Sequence, residues 1–285
     1  MRSAERGWAL VSVLWALTML ALMAAATEAL TATSWRAEQH AIVDSRADTA
    51  LDAAVVRAVL GISDRRAEAR WRVDGAHRRF VFDGLVLDVA VQDEAGRIDL
   101  NASGTALLVA LFTANGLAPD AASRLVGRIV DWRTPPGPAT LNGGSDDDYR
   151  AARLSYLPRH GLFQCVDEVK LVLGMTPQLF ARIRPALTVY SKRASFDASV
   201  APAASLLALY PNDPGKIDAV LRARDGNPNA VSGLGAPPGA SSGAVAGHAF
   251  SILATATINN RTFHRTAIVQ MTGDDRAPYY ALAWK

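Results

Sequence analysis

Three consecutive aspartates, Asp146, Asp147 and Asp148, form the densest acidic run in the chain, and Asn142 lies close before them. Carboxylate oxygens are hard ligands of the kind calcium prefers, and a loop can gather ligands that a rigid helix cannot. Asp131 lies upstream in "DWRTPPGP" and is the fourth candidate ligand. The competing reading is an acidic, solvated loop. Other chemistry is poorly served. Cys165 is the only cysteine, so no intrachain disulfide and no thiolate zinc cluster can form, and the five histidines are scattered. No His-Glu-x-x-His or phosphate-binding loop occurs. No catalytic residues are assigned and the chain reads as a non-enzyme.

The elements that must position these residues begin with an unusual N-terminus. Arg2, Glu5 and Arg6 precede Gly7, and charge is then absent from Trp8 to Thr27. Twenty helical residues would span about 30 Å, so 8–27 is expected to be a transmembrane segment with a cytoplasmic start. Residues 28–60 contain neither proline nor glycine and carry a loose apolar stripe at Leu30, Trp35, Ile42, Leu51, Val55, Val56, Val59 and Leu60. The pattern predicts one helix over 8–60, stopped near Gly61. A shorter apolar region with cleavage at Ala24–Ala26 would instead mark a removable signal peptide.

Beyond it, Phe80–Phe82, Leu85–Val91 and Arg97–Leu100 read as antiparallel strands, the second with period-2 alternation. Helices are expected at 105–114, 119–132 (capped by Asp120), 149–154, 166–173 and 177–184, the last behind a Thr176 cap. Leu187–Tyr190 is extended, 202–210 and 216–224 are helical, 227–247 is a glycine-rich loop, and three strands close the chain. "GRIDLNAS" and "RASFDAS" echo each other, placing Asn101 and Asp197 as caps of the turns that follow. The order helix, strands, helices, strands predicts an α+β fold: a sheet domain of 61–100 and 187–285 with a helical domain, 101–186, inserted into it. Gly116 and Gly174 sit at turns between paired helices, an echo of helix-hairpin-helix modules. Neither turn has the Gly-x-Gly nest or basic cluster that grips phosphate. The net charge of +3, from 30 basic and 27 acidic residues in 285, also argues against nucleic acid.

The basic leader ending at Gly7, the apolar helix behind it, "DEAGRIDLNAS", the Asp131-Trp132 pair and "RIRPALTVYS" together resemble the minor pseudopilin K family of type II secretion (general secretion pathway protein K). The resemblance implies a pseudopilin fold with a large helical insert. It implies removal of residues 1–7 by prepilin peptidase between Gly7 and Trp8, with methylation of the new terminus. The glutamate usual at the fifth mature position is replaced by Ser12, which the resemblance links to a place at the filament tip beside minor pseudopilins I and J. It further implies calcium in the inserted domain, although "DWRTPPGP" lacks the second acid often found after the family's Asp-Trp. The location implied is the inner membrane, single-pass, with the bulk of the chain in the periplasm. The alternatives are a minor pilin of a related type IV pilus or DNA-uptake machine, and an unrelated membrane-anchored periplasmic protein.

Overall fold

In the computed structural model the described residues are 4–66, 68–137, 142–226 and 245–285; within the first helix, side chains are described at 8, 11–25 and from 38 onward. The expected glycine-rich loop at 227–247 lies mostly outside them.

Freedom from proline lets α1 run unbroken from Ala4 to Ile62, 59 residues or about 88 Å. Its last third is an alanine-rich face (Ala47, Ala50, Ala54, Ala58) interleaved with Leu51, Val55, Val59 and Ile62, all buried. Ile42, Val56 and Leu60 of the expected stripe point outward and are exposed. Small residues let the helix lie close on the sheet. At Gly61 an added Cβ would stand 2.4 Å from the Trp71 ring, so this glycine admits the indole beside the helix end.

The sheet comprises β1 (Asp74–Phe82), β2 (Leu85–Asp93), β5 (Ala249–Ile258), β6 (Arg261–Met271) and β7 (Tyr279–Trp284), in the order β1-β2-β5-β6-β7, antiparallel throughout. Alternation works as expected in β2: Leu85, Leu87, Val89 and Val91 are buried under α1, facing Phe250, Ile252, Ala254 and Ala256 of β5 in the same core. Two tight hairpins need left-handed backbone, supplied by Asp83-Gly84 and by Asn259-Asn260. Ion pairs fasten α1 to the sheet at its surface: Arg261 to Asp44 (3.0 Å), Arg265 to Asp48 and Asp52 (2.9 and 3.0 Å), and Arg46 to Asp83 (3.0 Å).

Between β2 and β5 the chain leaves the sheet and builds a second core. A short parallel pair, β3 (Ile98–Asp99) with β4 (Leu187–Thr188), forms its base. Helices α2 (Thr105–Ala114), α3 (Pro119–Arg133), α4 (Asp146–Ala151), α5 (Pro177–Ile183), α6 (Ala203–Leu206) and α7 (Pro214–Gly226) surround it, with a 3-10 segment at Val166–Leu171. This core takes in Phe196, Leu206, Ile217 and Val220. The helical unit therefore continues past residue 186, because α6 and α7 bury their apolar faces against it rather than against the sheet. The cap of α3 also differs from expectation. Ala118 occupies the N-cap and Asp120 lies inside the first turn, since Pro119 takes the first helical position.

The expected transmembrane segment at 8–27, and with it the single-pass inner-membrane topology, is corrected. Among the described residues no helix is long and apolar enough to cross a membrane.

Candidate functional site

The polar residues of greatest consequence gather where the helical unit leaves and rejoins the sheet. The segment 93–103 makes this joint. Asp93 receives the Ala95 amide on Oδ1 (2.8 Å) and faces His248 Nδ1 through Oδ2 (2.9 Å), tying the end of β2 to the entry of β5. Its hydrogen bond with Asp93 raises the His248 pKa. Gly96 packs so tightly that an added Cβ would lie 2.5 Å from the Val200 carbonyl oxygen. Gln92 Nε2 donates to that same carbonyl at 2.7 Å. Asp99, almost fully buried, accepts the amides of Asn101, Ala102 and Lys192 and the Ser191 hydroxyl.

Asn101 does not cap the turn after it. It pairs with the backbone of Phe163 in both directions, Nδ2 donating to the carbonyl (2.9 Å) and the Phe163 amide donating to Oδ1 (2.8 Å). Asp197 keeps the local role, accepting the Ser199 amide and hydroxyl. The two echoed segments thus diverge: one side chain reaches 62 residues along the chain, the other two. Two arginines, Arg133 half-buried and Arg224 buried, complete the joint. Arg133 donates to the Leu100 and Ser103 carbonyls, and Arg224 to those of Ala198 and Ala201. Burial lowers both pKa values from their ordinary range. Sequence reasoning missed Asp93, His248, Asp99, Arg133 and Arg224 as joint residues. The one available signal was the repeated acid two residues before a small residue at each turn.

The four aspartates considered for calcium are already engaged. Asp131 Oδ2 receives the Gly144 amide at 3.0 Å. Asp146 meets His160 at 3.1 Å and Arg150 at 3.6 Å, and Asp147 meets Arg150 at 2.7 Å. Asp148 forms a reciprocal cap with Ser145 at the start of α4, and the hydrogen bonds from Ser145 lower its pKa. Among the described residues no group of three or more His, Cys, Asp or Glu could hold a metal ion. This arrangement does not fit a calcium cage. It closes a loop against Trp132 and Tyr149, whose hydroxyl accepts the Leu173 amide at 3.0 Å.

At the N-terminus, Gly7 and Trp8 lie within the unbroken helix and Trp8 is exposed. Ser12 Oγ donates to the Trp8 carbonyl at 3.1 Å, one turn back. From Val11 to Met23 the apolar side chains are exposed on every side of α1.

A long helix laid on an antiparallel sheet that is interrupted by a separately cored helical unit defines an α+β fold. A family model described as type II secretion system, protein K, matches residues 86–192, which run from β2 through the joint to just beyond β4. That match spans 107 of the 285 residues. Among solved structures it is similar to a chain of the GspK-GspI-GspJ complex of the enterotoxigenic Escherichia coli type 2 secretion system. That likeness has a TM-score of 0.63 at 15% identity and covers 88% of this chain and 98% of that one. No curated protein matches.

Proposed function

We propose that this chain is a non-enzymatic minor pseudopilin that sits at the tip of the type II secretion pseudopilus, where it helps initiate or limit filament assembly for protein export. The observation carrying this reading is the match to protein K across residues 86–192, the segment that splices the helical unit into the sheet. Two features of α1 support it. Its first part is apolar on all faces, a pattern that calls for cover by other helices. Ser12 replaces an acid with a hydroxyl satisfied within its own helix. A carboxylate there would favour a cationic partner above it, because a desolvated charge needs compensation; a serine makes no such demand. The partners in this reading are minor pseudopilins I and J, the proteins named with GspK in the similar complex. Prepilin peptidase would act between Gly7 and Trp8.

The test is co-expression of the tagged chain with the I and J pseudopilins of its own system and the peptidase. A stable ternary complex in which this chain begins at Trp8 is the expected result. Purification of the chain alone, beginning at Met1, overturns the reading. Replacing Val11, Leu14 and Leu17 together by serine should abolish the complex while leaving the sheet unit folded.

A further inference from the structure

A cleft of about 290 Å³ opens on the helical unit, where the turn after α2 meets α3 and the turn before α5. It is smaller than the pockets that take whole drug-sized ligands, but has room for one side chain. Leu117, Leu125 and Leu179 give it an apolar floor, and Arg124, Arg128 and Thr176 supply its polar groups; no acid lines it. Arg124 and Arg128 are one helical turn apart on α3 and so share a face. Asp120, a turn before Arg124, forms no ion pair with it within 4 Å and does not line the cleft. Arg124 is exposed, with no hydrogen bond or ion pair to any described residue.

Arg128 is held at the cleft by missing side chains. An added Cβ at Gly174 would stand 2.6 Å from its Nη1, and one at Gly144 would stand 3.1 Å from its Cγ. The backbone at Gly174 has φ +91, which further favours glycine there. Nη1 donates to the Leu173 carbonyl at 2.9 Å, while the Nε–H is buried without an acceptor. Thr176 Oγ1 accepts the Leu179 amide, which leaves the hydroxyl proton free to donate.

We propose that this cleft binds an acidic peptide segment, with a carboxylate held by Arg124, Arg128 and the Thr176 hydroxyl and a neighbouring aliphatic side chain resting on the three leucines. Guanidinium groups recognise carboxylates through charge-assisted, often paired hydrogen bonds. The apolar floor selects a carboxylate with a hydrocarbon neighbour over a bare anion. The site does not depend on the secretion reading.

The test is an NMR titration of the full-length protein, following the Gly174 and Thr176 amides, with three probes: acetyl-Leu-Glu-Leu-amide, its Gln counterpart and inorganic phosphate. Saturable shifts with the Glu peptide alone are expected, weakened about tenfold by Arg124→Gln. Arg124 is exposed, so its replacement leaves the fold intact; Arg182→Gln, on the outside of α5, should leave binding unchanged. Equal binding of the Gln peptide, stronger binding of phosphate than of the Glu peptide, indifference to Arg124→Gln, or absence of binding by all three each overturns the proposal.

Discussion

The two halves of this molecule are held together by different physics. In the sheet unit, one face of α1 presses alanine and branched aliphatics against alternating residues of β2, β5 and β6, and its Asp–Arg pairs lie at the surface. In the helical unit the helices are short, from four to fifteen residues. Single side chains do much of the joining: Asn101 to Phe163, Tyr149 to Leu173, Arg133 to Leu100 and Ser103, Arg224 to Ala198 and Ala201. A periodic interface spreads its energy over many contacts. An interface of clamps concentrates energy in a few residues, so single substitutions should damage the second unit more than the first.

The sharpest break comes at Trp132. It is buried, stacks on Phe163 with ring centroids 6.0 Å apart, and contacts Tyr149. Trp132→Ala should cost about 3–5 kcal/mol. Hydrogen exchange should show that loss through α2 to α5, with β5 and β6 still protected. Uniform loss of protection would mean that the two units unfold as one, and the contrast between them would fail. Asn101→Ala comes next. It removes both bonds to the Phe163 backbone and should cost about 2 kcal/mol. Chemical denaturation would register it, and Asn101→Asp should recover only the half that accepts the Phe163 amide.

That contrast also explains what could be read from the sequence. Elements with a period were legible: the alternation of Leu85 to Val91, the uninterrupted run into α1, the Thr176-Pro177 helix start and the β5–β6 hairpin at Asn259-Asn260. Splicing of the helical unit into the sheet was legible from element order. The clamps were not, because an asparagine that bonds a backbone 62 residues away looks the same in sequence as one that caps its own turn. The far edge of the helical unit was missed for a related reason. α6 and α7 have apolar faces, but nothing local states which of two cores those faces join. The aspartates suggested a cation by composition, yet composition does not reveal that Arg150, His160, Ser145 and the Gly144 amide reach them first.

A smaller effect tests the seam between the units. His248 is bonded to Asp93, and this bond raises its pKa in the folded protein above the ordinary value of 6.5. A raised folded pKa gives stability that is fully present below the unfolded value and is lost as pH rises through the folded one. The protein should therefore lose stability on the alkaline side of pH 6.5. His248→Gln should cost about 1 kcal/mol at acid pH and remove that slope, as read from denaturation midpoints across the range. An unchanged slope in the variant would place its origin elsewhere and leave the seam without a titrating member.

The smallest effect belongs to the acidic loop. Asp147 is largely exposed and its partner Arg150 is more than half exposed, so Asp147→Asn should change stability by no more than about 0.5 kcal/mol. Asp131 is buried and holds the Gly144 amide, so Asp131→Asn should cost more, about 1 kcal/mol. Millimolar calcium should leave the thermal midpoint of the wild type unchanged, because a ligand stabilises a fold only when it binds the folded state better than the unfolded one. A calcium-dependent rise that vanishes in Asp146→Asn and Asp148→Asn would show that the loop rearranges to trade its arginine, histidine and serine partners for the ion. In that case this part of the helical unit would be held by a cation rather than by clamps.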